Sequence, residues 1–100
     1  MKLFIYSLVG CGYSREAVKL LTPYKPDIIT VSQEEKEKYK KMNKMDTFPQ
    51  IFILDNNSNN IKIGGYNDTI ELLAKIFKNE KIPYNKEESE SLIKFFNNKK

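Results

Sequence analysis

The chain predicts an α/β domain with a central mixed four-stranded sheet flanked by helices, in the order β-α-β-α-β-β-α-α. Three features carry that expectation. Apolar and β-branched runs at 3–7 and 27–31 bracket a segment with helical spacing, which makes a β-α-β unit with parallel strands. Two more runs, at 50–54 and 61–63, stand on either side of a six-residue polar turn and so form an antiparallel hairpin. Further apolar residues recur at helical intervals after Gly64-Gly65 and after Pro83. A sheet made from these pieces needs helices on its faces to bury its apolar side chains.

Leu3 to Ser7 is continuously apolar up to its end and is flanked by Gly10 and Gly12, which suits an interior strand. Residues 13–22 follow as a helix, with Ala17, Val18 and Leu21 on one side, Arg15, Glu16 and Lys19 on the other, and Pro23 ending it. Asp27 to Val31 is a second, β-branched strand. Ser32 and Glu35 have capping-box spacing ahead of a helix over 33–44. Glu34/Lys38 and Glu37/Lys41 are its i,i+4 pairs, and Tyr39 and Met42 its only plain apolar contacts. In the hairpin, the asparagines of the 55–60 turn tolerate its dihedrals. Asp68 then caps a helix with Glu71 at the reciprocating position; its buried stripe is Ile70, Leu73 and Phe77, with Ala74 and Ile76 beside it. The last helix runs from about Lys86 to Phe96 with Leu92, Phe95 and Ile93 inward. Residues 1–100 form a single domain, of which 84–100 are a terminal helix and tail.

A chain of 100 residues, 40% apolar, has room for one modest core, so the fold must carry its own site. The formal charge of +4, from 17 basic and 13 acidic residues, comes from lysines interleaved with glutamates. That pattern argues against a nucleic-acid partner. A single cysteine excludes an internal disulfide and fits a reducing compartment. No apolar run approaches a membrane span, and the N-terminus reads as a core strand, so a cytoplasmic protein without a membrane partner is expected.

The one cysteine, Cys11, lies between the first strand and the first helix. Free cysteines are often inert and buried, but Gly10 and Gly12 argue against a core position and leave the sulfur unscreened. At a helix start, amides without intrahelical partners and the aligned peptide dipoles favour the thiolate. Such placement lowers a cysteine pKa from about 8.5 to the range of roughly 3.5–7.5. Tyr13 offers an aromatic wall. Ser14, three residues on, stands on the same side of the first turn, where its hydroxyl can donate to sulfur but cannot form a disulfide. Any second thiol must therefore come from another molecule.

Three ordered motifs over roughly residues 2–80 give the chain its family resemblance. They are Tyr6-Ser7 with Cys11-Gly12-Tyr13-Ser14, then Thr47-Phe48-Pro49-Gln50, then Gly64-Gly65-Tyr66-Asn67-Asp68. Together they resemble the glutaredoxin family, of thioredoxin-like fold, in its one-cysteine form. Without that likeness Pro49 reads as a strand-start proline and Asp68 as a helix cap.

The resemblance implies a glutathione-dependent thiol-disulfide oxidoreductase acting on glutathionylated proteins, with Cys11 as nucleophile, Ser14 beside it, and a monomeric chain. It implies that Thr47 and Phe48, held by a cis peptide at Pro49, offer main-chain groups to the cysteinyl unit of glutathione. Tyr13, Gly65, Asn67 and Asp68 complete the glutathione site, with Asn67 and Asp68 at the γ-glutamyl end. An alternative implied by the same family is a homodimer bridged by a [2Fe-2S] cluster, with Cys11 and one glutathione from each chain as ligands; in the oxidoreductase reading no metal is bound. A third is a non-catalytic adaptor that keeps only the scaffold. The chain departs from its relatives at Leu8, where short-loop members usually carry lysine. Gln50, Arg15 or a lysine near the second helix are the candidates to replace that charge or polar contact. Met45-Asp46 also stands where cluster-carrying members have tryptophan-proline.

Overall fold

The computed structural model describes residues 1–97. The expected tail beyond them, residues 98–100, lies outside the described residues. The elements are β1 (Lys2–Leu8), α1 (Gly12–Leu21), β2 (Asp27–Val31), α2 (Lys36–Asn43), β3 (Gln50–Leu54), β4 (Asn60–Gly64), α3 (Tyr66–Phe77) and α4 (Lys86–Asn97). The strands lie in the order β2-β1-β3-β4. β1 runs parallel to β2 and antiparallel to β3, and β3 and β4 form the hairpin. This is the mixed, thioredoxin-like sheet that the element order predicts.

Strand alternation divides the core. Leu3 pairs with Ile53 and Ile5 with Ile51, so these side chains share one face. With Ile61 and Ile63 they bury against Ala17 and Leu21 of α1, Leu72, Leu73 and Ile76 of α3, and Leu92, Phe95 and Phe96 of α4. Each large apolar side chain buried there contributes about 1.5–3 kcal/mol relative to exposure. The opposite face is thin. Tyr6 sits with its ring centroid 5.5 Å from that of Tyr39 on α2 and 5.9 Å from that of Phe52 on β3, and α2 buries no residue completely.

Several expectations are corrected in detail. The first helix does end ahead of Pro23, at Leu21 rather than 22, and the chain continues as a 3-10 turn over Thr22–Tyr24 that contains the proline. Ser32 and Glu35 do exchange reciprocal hydrogen bonds, yet these close a turn ahead of α2, which starts at Lys36. Glu37 pairs with Lys40 at 3.3 Å, one residue short of the i,i+4 partner, and Met42 is 55% exposed. The cap of α3 is Gly65, so Asp68 is its third helical residue. Ile70 and Phe77 are exposed, and Leu72 and Thr69 take the buried places with Leu73 and Ile76. On α4 it is Phe96 that turns inward while Ile93 stays at the surface. Asp55 organises the hairpin turn: its Oδ1 accepts from the Asn57 and Asn59 amides, an arrangement that holds Asn-rich turns closed.

Candidate functional site

The thiol loop is held by backbone bonds at both ends. Val9 N–H donates to Val31 O on the neighbouring strand, and Cys11 N–H to Leu8 O. Gly10 between them has φ +83°, a region that glycine enters without strain. Cys11 is the N-cap of α1, with extended backbone angles, so its side chain stands ahead of the first helical turn. Its sulfur is partly exposed and lies 3.7 Å from Phe48 O, to which the neutral thiol donates.

Partial burial opposes ionisation of Cys11, but it is outweighed. Hydrogen bonds from the Ser14 hydroxyl and from the Ser14 and Tyr13 amides reach the sulfur, and the Arg15 guanidinium adds positive charge. The net effect is a thiol pKa below the ordinary value. Ser14 is fully buried, and its Oγ also accepts from Leu8 N–H at 3.1 Å. One hydroxyl thus bridges the end of β1 to the sulfur. Replacing it in Ser14→Ala removes a donor to the thiolate and leaves the Leu8 amide without a partner. We expect the Cys11 pKa to rise, seen in the pH dependence of alkylation, and stability in denaturant to fall by about 1–3 kcal/mol.

Beside the thiol loop is an open cleft of about 270 Å³ lined by Tyr13, Thr47, Phe48, Gly65, Tyr66, Asn67 and Asp68. The Phe48-Pro49 peptide is cis, and Pro49 is fully buried behind the cleft wall. The structure therefore brings Tyr13, Thr47, Phe48, Gly65, Asn67 and Asp68 to one cleft, with Cys11 touching it through Phe48. Ser14 and Pro49 lie beneath the surface. At the far end, Asp68 Oδ2 accepts from Gly65 N–H at 2.9 Å at the start of α3, where amides without partners favour anions.

Two residues matter more than the sequence suggests. Gln50 is fully buried and committed: its Nε2 donates to Met45 O and Thr47 O, at 3.4 and 3.3 Å, and its Oε1 accepts from Asn43 Nδ2 at 2.8 Å. It holds the 45–47 loop from inside, so it does not stand in for a lysine at position 8. The available signal was a lone amide inside an apolar strand run, which must find partners when buried. Tyr66, only part of a motif in the sequence, stacks against Tyr13 with centroids 5.9 Å apart and walls the cleft. Near the sulfur, Arg15 supplies the positive charge that Leu8 does not.

Residues 3–57, more than half of the chain, match the glutaredoxin family. The fold is similar to that of the dithiolic glutaredoxin of Trypanosoma brucei brucei, with 31% identity, 74% of this chain and 78% of that one covered, and a TM-score of 0.53. It is also similar to glutaredoxin from Brucella melitensis, at 25% identity, 78% and 86% coverage and a TM-score of 0.51. Buckwheat glutaredoxin, solved in complex with glutathione, shares the fold at 20% identity, 73% and 68% coverage and a TM-score of 0.53. No curated protein matches the chain.

Proposed function

The chain belongs to the glutaredoxin family, and from that premise we propose that it is a glutathione-dependent thiol-disulfide oxidoreductase working by a monothiol mechanism on protein-glutathione mixed disulfides. The observation that supports this most directly is the single thiol at the head of α1, favoured as thiolate by Ser14, two amides and Arg15, and set against the cleft wall at Phe48.

The chemistry runs in two exchanges. The Cys11 thiolate attacks the glutathione sulfur of the mixed disulfide; a new bond forms between Sγ and the glutathionyl sulfur, the old S–S bond breaks, and the protein thiolate leaves and takes a proton from solvent. A second glutathione, as thiolate, attacks the glutathionyl sulfur on Cys11. Oxidised glutathione departs and the Cys11 thiolate is restored. Ser14 has no sulfur, so it steadies the anion and takes no part in resolution. Thr47 and Phe48 offer main-chain groups along the cleft, Tyr13 and Gly65 frame it, and Asn67 and Asp68 receive the γ-glutamyl end.

In the alternative, a [2Fe-2S] cluster would be held by Cys11 and one glutathione from each of two chains, a donor set to which this chain contributes its single thiol. Among the described residues no helix is long and apolar enough to cross a membrane.

The test is single-turnover glutathionylation of Cys11 by the mixed disulfide of glutathione and 2-mercaptoethanol across pH 5–9. The depressed pKa means that the thiolate fraction, and with it the rate, rises with pH and levels off below the ordinary thiol range. A rate that keeps climbing through that range overturns the activated-thiolate mechanism. Absence of reaction at every pH leaves the adaptor reading.

A further inference from the structure

We propose that Gln33 is a positioning residue for the Cys11 thiol: its side-chain amide fixes the orientation of the Val9-Gly10 peptide in the thiol loop. This deepens and rests on the transfer reading above. Leu8 to Cys11 form a four-residue turn, closed by the Cys11 N–H donating to Leu8 O at 3.1 Å. Gly10, in its third place, has φ +83°, and Val9 before it is outside the positive-φ region. Those signs make the turn type II. The type I form differs chiefly by a half-rotation of the central peptide, here Val9-Gly10, and a glycine in the third place accepts both. A hydrogen-bond partner for that peptide decides between them.

The partner comes from the neighbouring strand. β1 and β2 are parallel with Leu8 facing Val31, so the next pair is Val9 and Ser32. A parallel ladder would continue with Val9 N–H to Val31 O and Gln33 N–H to Val9 O. The first bond forms, at 2.9 Å. The side chain makes the second: Gln33 Nε2 donates to Val9 O at 2.7 Å. Beyond Val31 the chain has turned towards α2, and the bonds between Ser32 and Glu35 fix the base from which Gln33 reaches back. The Val9 carbonyl is thus aimed at the β2 side. β1 lies between β2 and β3, and the sulfur meets Phe48 O just ahead of β3. Turning the Val9-Gly10 peptide over swings the carbonyl from the β2 side to the side of the sulfur, where the negative end of its dipole opposes a thiolate. Of the charged groups, Arg15 acts on the sulfur, and Glu35, near Gln33, is held by Ser32. Gln33 is uncharged and exposed, so it acts on the thiol through the loop rather than through a field of its own.

Alkylation of Cys11 by iodoacetamide across pH 5–9 tests this. Gln33→Met keeps the side-chain length and loses the donor. Its profile is expected to move to higher pH, so that alkylation on the rising limb is about threefold slower while the plateau rate is unchanged. The melting temperature stays within about 4 °C, because one exposed bond contributes little to stability. Gly10→Ala drives the same rotation from inside the turn: φ +83° strains an L side chain, while an added Cβ meets only Gln33 Nε2, at 3.9 Å. Its profile moves the same way, and the double variant moves by less than the sum of the two. The turn is read directly by the nuclear Overhauser effect between Val9 Hα and the Gly10 amide proton, strong in type II and weak in type I. That signal drops in Gln33→Met and returns in Gln33→Lys, whose ammonium is a donor of similar reach. If Gln33→Met loses its melting transition, Gln33→Ser carries the comparison. An unmoved profile in the variant without the donor, a moved profile with the Overhauser signal intact, additive shifts, or a signal that lysine does not restore overturns the proposal. Iodoacetamide needs no glutathione, so failure to turn over the mixed disulfide sinks the transfer reading alone and leaves this measurement decisive for Gln33.

Discussion

Cys11→Ser reduces turnover of any glutathione mixed disulfide to the uncatalysed background, a loss of at least about 1000-fold, while the fold persists. A serine hydroxyl at that position is neither ionised near neutral pH nor able to form a disulfide. Ser14 contributes no sulfur, so the loss has no internal rescue. Stability changes by less than about 1 kcal/mol, because the sulfur is partly exposed, its contact to Phe48 O is long at 3.7 Å, and a serine oxygen can accept from Ser14 and Tyr13 in its place. Intact mass after exposure to oxidised glutathione checks both statements: the native chain gains one glutathionyl unit, the variant none, and the two melt together. Residual turnover in the variant would mean that the chemistry lies elsewhere.

Gly64→Ala is the substitution with the largest structural effect we expect, and its neighbour Gly65→Ala is the control. Gly64 has φ +119°, where an L side chain is strained. A Cβ added there meets Asp68 Oδ2 at 2.5 Å and Asp68 Cγ at 2.9 Å. The carboxylate must swing away from the Gly65 amide, and α3 loses the bond that closes its first turn. Strain and the lost bond together cost about 2–4 kcal/mol, which lowers Tm by about 10–25 °C in a domain of this size. At Gly65, φ is −92° and an added Cβ has only ordinary contacts, 3.7 Å from Asp68 Oδ2 and from Pro49 O. That variant loses less than about 1 kcal/mol. Thermal melts of the pair separate the effect of the turn from loss of a glycine as such, and similar melts would defeat the argument. Because Asp68 also lines the cleft, the proposed function predicts that Gly64→Ala weakens glutathione binding even where the protein stays folded.

What the sequence makes legible is what is local. The strands at 3–7 and 27–31 and the hairpin follow from continuous apolar runs, and the exposed thiol follows from glycines on both sides of Cys11. Faces of helices are harder. α3 carries two adjacent apolar stripes, and periodicity alone does not say which the sheet covers, so spacing places Ile70 and Phe77 inward while the fold exposes them. Phe96, one residue beyond Phe95, is inward because its ring packs edge-on against Tyr24 and Phe95, contacts between segments about seventy residues apart or adjacent in a turn that spacing does not reveal. The cap at α3 slips by three residues because Gly65, having no side chain, leaves no signature, whereas Asp68 imitates one. Gln50 is opaque for another reason: two of its three partners are carbonyls, which every residue has, so nothing in the letters around it names Met45 and Thr47 as the groups it serves.

Helix α2 has no fully buried side chain and rests on the sheet chiefly through the ring of Tyr39, yet its Asn43 anchors the amide that braces the 45–47 loop. Local opening is cheapest where apolar contact is sparse. Amide protons at 36–43 should therefore exchange with solvent deuterium well ahead of those in β1 and β3. Each such excursion frees Gln50 from one of its three ties. One wall of the cleft is thereby fastened to the segment of the protein that lets go first, so under the proposed function heating ought to blunt glutathione affinity at temperatures where the sheet is still intact.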